Sequence, residues 1–171
     1  GAIKIDSLKD FCKEKKISCL GLSDTSNLCG ALEFAESISK VGTQPIIGTQ
    51  IFFRFEDTTG LLPLIALNER GYKRIIELSS RSYLENDAIS DPHLDIKEFL
   101  GDTEGVLLLS GTIQGLFGKL FQKGRLEEIT KIYKSLLSKF HDNFYLEIQR
   151  HGDQNEIAFE KFNLDQSSKI K

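Results

Sequence analysis

The sequence predicts an α/β fold with a mostly parallel sheet, because two kinds of segment alternate along it. Short runs of β-branched and aromatic residues, typical of strands, are separated by segments with apolar residues at helical spacing. One run, residues 106–110, is apolar at four consecutive positions, as in a strand buried on both faces of a parallel sheet. Such alternation is typical of a sheet covered by helices.

The first half of the chain carries strong start and stop signals for its elements. Ser7 and Asp10 fit a capping box that opens a short helix. Gly42 ends the second helix, since glycine readily adopts the left-handed conformation found at helix ends. The predicted elements are a short helix from Ser7, a strand at 17–22, a helix at 30–41, strands at 45–55 and 61–67, and a helix at 71–84.

The second half repeats the alternation. The predicted elements are a short helix at 95–100, a strand at 106–110, helices at 113–122 and 126–140, a strand at 144–149, and a final helix within 154–171 that is expected to fray at its polar end. Five strands are predicted in total. This number is too small for a closed eight-stranded barrel.

Composition excludes several classes of protein. The chain has 171 residues, 27% of them charged, and a formal net charge of −3, which argues against disorder and against a strongly basic nucleic-acid binder. Its apolar runs are too short to span a bilayer, and no secretion signal is visible. The three cysteines form no C-x-x-C pair and are expected to be reduced. These features predict a cytoplasmic protein with no membrane partner.

Two residues follow predicted strands, where functional side chains of parallel α/β folds collect. Asp24 could ligate a metal or cap the next helix. His151 could be a metal ligand, an acid or base, or an ordinary surface residue. The sequence contains no H-x-H, H-E-x-x-H, phosphate-loop or nucleophile-elbow motif. The residues alone therefore assign no catalytic residue and no reaction.

Five segments in order resemble one family. They are Gly-Leu-Ser-Asp-Thr-Ser-Asn-Leu-Cys-Gly at 21–30, Gln-Pro-Ile-Ile-Gly at 44–48, Asn-Glu-Arg-Gly-Tyr at 68–72, Gly-Val-Leu-Leu-Leu-Ser-Gly at 105–111, and Phe-Tyr-Leu-Glu-Ile-Gln-Arg-His-Gly at 144–152. In order and spacing they resemble the N-terminal PHP (polymerase and histidinol phosphatase) domain of bacterial DNA polymerase III alpha subunits.

The resemblance extends from Gly1 to about Phe162. It implies an incomplete PHP-type distorted (β/α)7 barrel, with residues 1–171 forming a single partial domain. The family's first strand, with its H-x-H motif, and its C-terminal strands are expected to lie outside these residues. The parent protein would resemble a DNA-directed DNA polymerase, but its polymerase active site would also lie outside this chain.

Active PHP domains hold three metal ions that activate water and neutralise phosphate charge. Asp24 and His151 match ligand positions of the family. Thr25, Gln50 and Pro63 stand where metal-binding members have His, Glu and His. The resemblance therefore implies a vestigial site with low metal occupancy. Zinc or manganese would be the cofactor if the site were active.

Three function classes follow from the resemblance. The first, which we favour, is a metal-free structural and docking domain of the replicative polymerase; its partners would be the rest of the alpha subunit and the proofreading exonuclease subunit, with DNA contacted only through other domains. The second is an active metal-dependent phosphoesterase or 3′–5′ proofreading exonuclease, against which Thr25 and Gln50 weigh. The third is a stand-alone histidinol-phosphatase-like enzyme, against which the polymerase-type segments at 21–30 and 68–72 weigh.

Overall fold

A single sheet organises the fold in the computed structural model, which describes residues 3–87 and 90–170. Within these residues the sheet has the order β1-β2-β3-β5-β6, and β4 pairs with the far end of β2. The strands are β1 Cys19–Thr25, β2 Gln44–Phe55, β3 Thr58–Ala66, β4 Leu94–Asp95, β5 Val106–Leu109 and β6 Phe144–Tyr145. The helices are α1 Ile5–Lys15, α2 Ala31–Ser39, α3 Glu69–Leu84, α4 Leu116–Gln122, α5 Leu126–Phe140 and α6 Gln154–Lys169, with 3-10 turns at Ile96–Leu100 and His141–Asn143.

The predicted α/β class with a mostly parallel sheet is confirmed. Among the strands that the structure describes, only β3 opposes the others, because it is antiparallel to both β2 and β5, whereas β1, β4 and β6 run parallel to their neighbours. The reversal occurs at a two-residue turn between Phe55 and Thr58, which are themselves a register pair. A connection this short can join only antiparallel strands.

The core lies on the face of the sheet that α3, α4 and α5 cover. Alternate strand residues such as Ile51, Leu64 and Leu108 are fully buried there. A second, smaller cluster forms where α1 and α2 pack near β1, around Phe34 and Ile38. Because strand side chains alternate between faces, the intervening positions of β2 and β3 lie on the opposite, half-buried face.

Two of the segments that resemble the PHP family contact each other at the start of α3. The Asn68 side chain accepts a hydrogen bond from the Gly71 N–H at 3.0 Å and so caps the helix. The Leu67 N–H donates to the Gly105 carbonyl at 2.8 Å. A Cβ added at Gly71 would lie 1.7 Å from the same carbonyl oxygen, so this close approach requires glycine.

Several predicted boundaries are wrong. The first helix begins at Ile5 rather than at Ser7, and its N-cap residue Lys4 makes no side-chain cap, so the capping box does not form. The strand predicted at 17–22 extends to Thr25 because β1 pairs with β2 as far as Gln50. The described residues contain six strands, not the five predicted. The additional strand, β4, has only two residues, which pair with β2.

The end of the chain also differs from the prediction. The strand predicted at 144–149 contains only two residues, Phe144 and Tyr145. The neighbouring strand β5 ends at Leu109, and the Glu147 N–H donates to the Ser110 hydroxyl instead of to a backbone carbonyl of β5. Helix α6 forms within the predicted segment 154–171, of which residue 171 lies outside the described residues. No helix in the part of the chain that the structure describes is long and apolar enough to cross a membrane.

Candidate functional site

Three positions that the resemblance predicts to be substituted ligand positions form one row across the sheet. Thr25 of β1 is in register with Gln50 of β2, and Gln50 is in register with Pro63 of β3. Residues in register on adjacent strands share a face and have Cα atoms about 5 Å apart. The structure therefore brings together Thr25, Gln50 and Pro63, which lie far apart in sequence.

The chemistry of this row does not fit a cluster of divalent metal ions. It offers one hydroxyl and one amide, both neutral, and Pro63 has no side-chain donor atom. Zinc and manganese sites use imidazole, carboxylate or thiolate ligands, which also balance the charge of the ions. The row is therefore a poor ligand set, although its three positions are adjacent.

Pro63 also changes the backbone pairing of β3. The Gln50 carbonyl accepts the Ser26 N–H at 2.7 Å, so the hydrogen-bonding groups of Gln50 face β1 and not β3. Gln50 and Pro63 are thus a non-hydrogen-bonded pair, and the Pro63 nitrogen faces β5. Because that nitrogen carries no hydrogen, it cannot donate to β5, and the ladder between β3 and β5 extends only as far as Leu64.

A small cavity of about 50 Å³ lies beside the row. Its lining residues are Gln50, Leu61, Pro63, Gly111, Thr112, Gln114 and Gly115. Sequence reasoning missed Thr112 and Gln114 as neighbours of Gln50. A signal was present, because they lie between two glycines directly after the carboxyl end of a strand, where functional loops of α/β folds collect.

Asp24 lies on the opposite face of the sheet from Thr25. It is in register with the buried Thr49, whose hydroxyl donates to the Asp24 carbonyl at 2.8 Å. The Asp24 Oδ2 atom is 3.3 Å from the position that a Cβ would occupy on Gly30, just before α2. The carboxylate is therefore placed beside the start of α2 rather than over the row. The period-two alternation of strand side chains could have shown this.

His151 is held by α6 through two contacts with one carboxylate. Its ring Nδ1 lies 2.9 Å from Glu156 Oε1, and its backbone N–H donates to Glu156 Oε2 at 2.7 Å. These hydrogen bonds lower the pKa of Glu156. The neighbouring Arg150 pairs with Glu160 at 2.6 Å, and the pair raises the pKa of Arg150 and lowers that of Glu160. These contacts hold the segment after β6 against α6. The roles of Asp24 and His151 as metal ligands stay predictions.

A buried polar network supports the same segment from within the core. The Tyr133 hydroxyl donates to Asn163 Oδ1 at 3.1 Å, and Asn163 Nδ2 donates to the Glu147 carbonyl at 3.5 Å. The Ser110 hydroxyl accepts the Glu147 N–H at 2.9 Å. Burial raises the pKa of Tyr133. The Glu147 Oε2 atom is buried and has no hydrogen-bond partner among the described residues. The structure places Glu147 beside Glu156 and Glu160 around a minor cavity, a grouping that the sequence did not predict.

The His, Cys, Asp and Glu side chains of the described ranges 3–87 and 90–170 do not form a cluster suited to a metal ion. No group of three or more His, Cys, Asp or Glu residues there is arranged to hold a metal ion. Of the five candidate positions, the structure groups Thr25, Gln50 and Pro63 into the row, places Asp24 on the other face, and pairs His151 with α6.

The five segments named in the sequence analysis resemble a PHP domain, and comparison with known families agrees. The model of the PHP domain matches residues 1–151, so the chain belongs to the PHP domain family. Among curated proteins it is similar to DNA polymerase III subunit alpha from several bacteria. Identity is 36% over 169 residues for Caulobacter vibrioides, 32% over 159 for Vibrio cholerae and 34% over 163 for Borreliella burgdorferi.

These matches cover most of this chain and little of each relative. They include 94%, 88% and 89% of the chain, but the chain spans only 15%, 14% and 14% of the three relatives. A crystal structure assigned as a metal-dependent phosphoesterase from Bifidobacterium adolescentis aligns with 49% of this chain and 30% of its own, at 16% identity and a TM-score of 0.36. That likeness is too distant to support an argument about function.

Proposed function

We propose that this chain is the PHP portion of a DNA polymerase III alpha subunit and serves DNA replication as a metal-free structural and docking domain. The similarity to alpha subunits at 31–36% identity supports the replication role. The observation that supports the metal-free role is the row of Thr25, Gln50 and Pro63, where adjacent positions on three strands carry neutral or donor-free side chains.

Charge is the physical reason for expecting no metal. Two or three divalent ions held close together repel each other, and several carboxylates are needed to offset that repulsion. The row supplies no charged group. Asp24 lies on the other face of the sheet, and the Nδ1 atom of His151 is engaged with Glu156. The positions that correspond to family ligands therefore lie in three places: the row, the opposite face of the sheet at Asp24, and the contact of His151 with α6.

We propose that this domain contacts protein rather than DNA. The proposed partners are the rest of the alpha subunit and the proofreading exonuclease subunit, which would supply the editing that this domain does not. Affinity for DNA grows with the number of phosphates that cations neutralise. A chain with a net charge of −3 has few cations available for this, so DNA would be contacted through other domains.

An active metal-dependent phosphoesterase or 3′–5′ exonuclease is the second candidate, and the retention of both Asp24 and His151 favours it. An editing assay separates the two. The intact protein that contains this chain is stripped of metal, resupplied with zinc or manganese, and given primers with mismatched ends. We expect no removal of the mismatched nucleotide. Robust editing that Asp24→Asn abolishes and the exposed control Asp142→Asn retains would overturn the proposal.

A further inference from the structure

We draw no further inference here: the strongest candidate, the mainly apolar groove of about 390 Å³ between the β6 edge of the sheet and helix α6, carries no proposal because nothing in the described residues shows what covers it.

Discussion

Gln50 lies directly opposite Pro63 across the ladder between β2 and β3, as a pair whose backbones do not hydrogen-bond to each other. On its other side Gln50 is in register with Thr25. The strand pairing thus makes three positions adjacent, while their side chains provide no charged group. The metal-free state that we propose would then result from the chemistry of these side chains and not from the strand pairing.

If side-chain chemistry is what prevents metal binding, metal ligands introduced into the row should raise the affinity for metal. The combined variant Thr25→His, Gln50→Glu and Pro63→His places an imidazole, a carboxylate and a second imidazole on adjacent strands. We expect it to bind zinc at least roughly tenfold more tightly than the unaltered protein, because three suitable ligands then share one face. Titration with zinc against a competing chelator measures this.

A matched control uses another pair on the same face of the same two strands. Arg54 and Thr59 are also in register across the ladder, four residues from Gln50 and Pro63. Arg54→Glu with Thr59→His introduces the same kinds of side chain, and Asp95→Asn removes the carboxylate that β4 places in register with Arg54, so that only two strong ligands share this second row. Equal zinc affinity in the control and the restored variant would show that the row has no special geometry.

The close approach of Gly71 to Gly105 predicts a large loss of stability in Gly71→Ala. The added Cβ would lie 1.7 Å from a backbone oxygen, which a rotamer change cannot relieve. We expect the free energy of unfolding of the chain to fall by more than about 3 kcal/mol, as for other severe overpacking. Urea unfolding measures it.

Gly124→Ala is the control for that measurement. Gly124 has φ +74 and no atom within 4 Å of an added Cβ, so only backbone strain opposes the substitution. That strain costs about 1 kcal/mol. Similar losses in Gly71→Ala and Gly124→Ala would contradict the assigned contact between α3 and the start of β5.

This contact illustrates which parts of the fold can be predicted from sequence. Apolar periodicity located most helices and strands to within a few residues. Asn68, Gly71 and Gly105 were noted only as parts of the segments that resemble the family, and their contact was not predicted. Apolar periodicity could not predict which strands pair with each other. β4 has two residues and exists only through long-range pairing with Phe53 and Arg54, so it leaves no local signal.

The candidate site shows the same division. The resemblance supplied the identities of Thr25, Gln50 and Pro63, but their grouping depends on strand register, which a single sequence does not encode locally. The placement of Asp24 opposite Thr25 was accessible, because neighbouring strand residues face opposite ways. The contact between Glu156 and His151 could not be predicted from the sequence, because it depends on how α6 packs against the segment after β6.

The buried hydroxyl of Tyr133 predicts a specific response to alkaline pH. Tyr133→Phe leaves Asn163 Oδ1 without its donor, so at pH 7 the variant should be less stable by about 1–2 kcal/mol. Burial raises the pKa of Tyr133 above its ordinary value of 10.0 in the folded state. The stability that this shift contributes is fully present below pH 10.0 and is lost as the pH rises toward the folded-state value, because the unfolded tyrosine ionises first.

The difference in unfolding free energy between the unaltered chain and Tyr133→Phe should therefore shrink above about pH 10. Tyr83 is half-exposed, so Tyr83→Phe is the control for the loss of a tyrosine hydroxyl that is not buried. Urea unfolding at pH 7.5 and 10.5 provides the comparison. A Tyr133→Phe difference that stays constant or grows with pH would mean that the hydroxyl is not buried as described.

The metal content of the intact protein that contains this chain tests the central claim most directly. The protein is purified without chelator, and zinc, manganese and iron are measured by elemental analysis, with the restored variant Thr25→His, Gln50→Glu and Pro63→His beside it. We predict less than roughly 0.1 equivalent of metal in the unaltered protein and a clear gain in the variant. About two or three equivalents in the unaltered protein would contradict the account and point to a working hydrolytic centre.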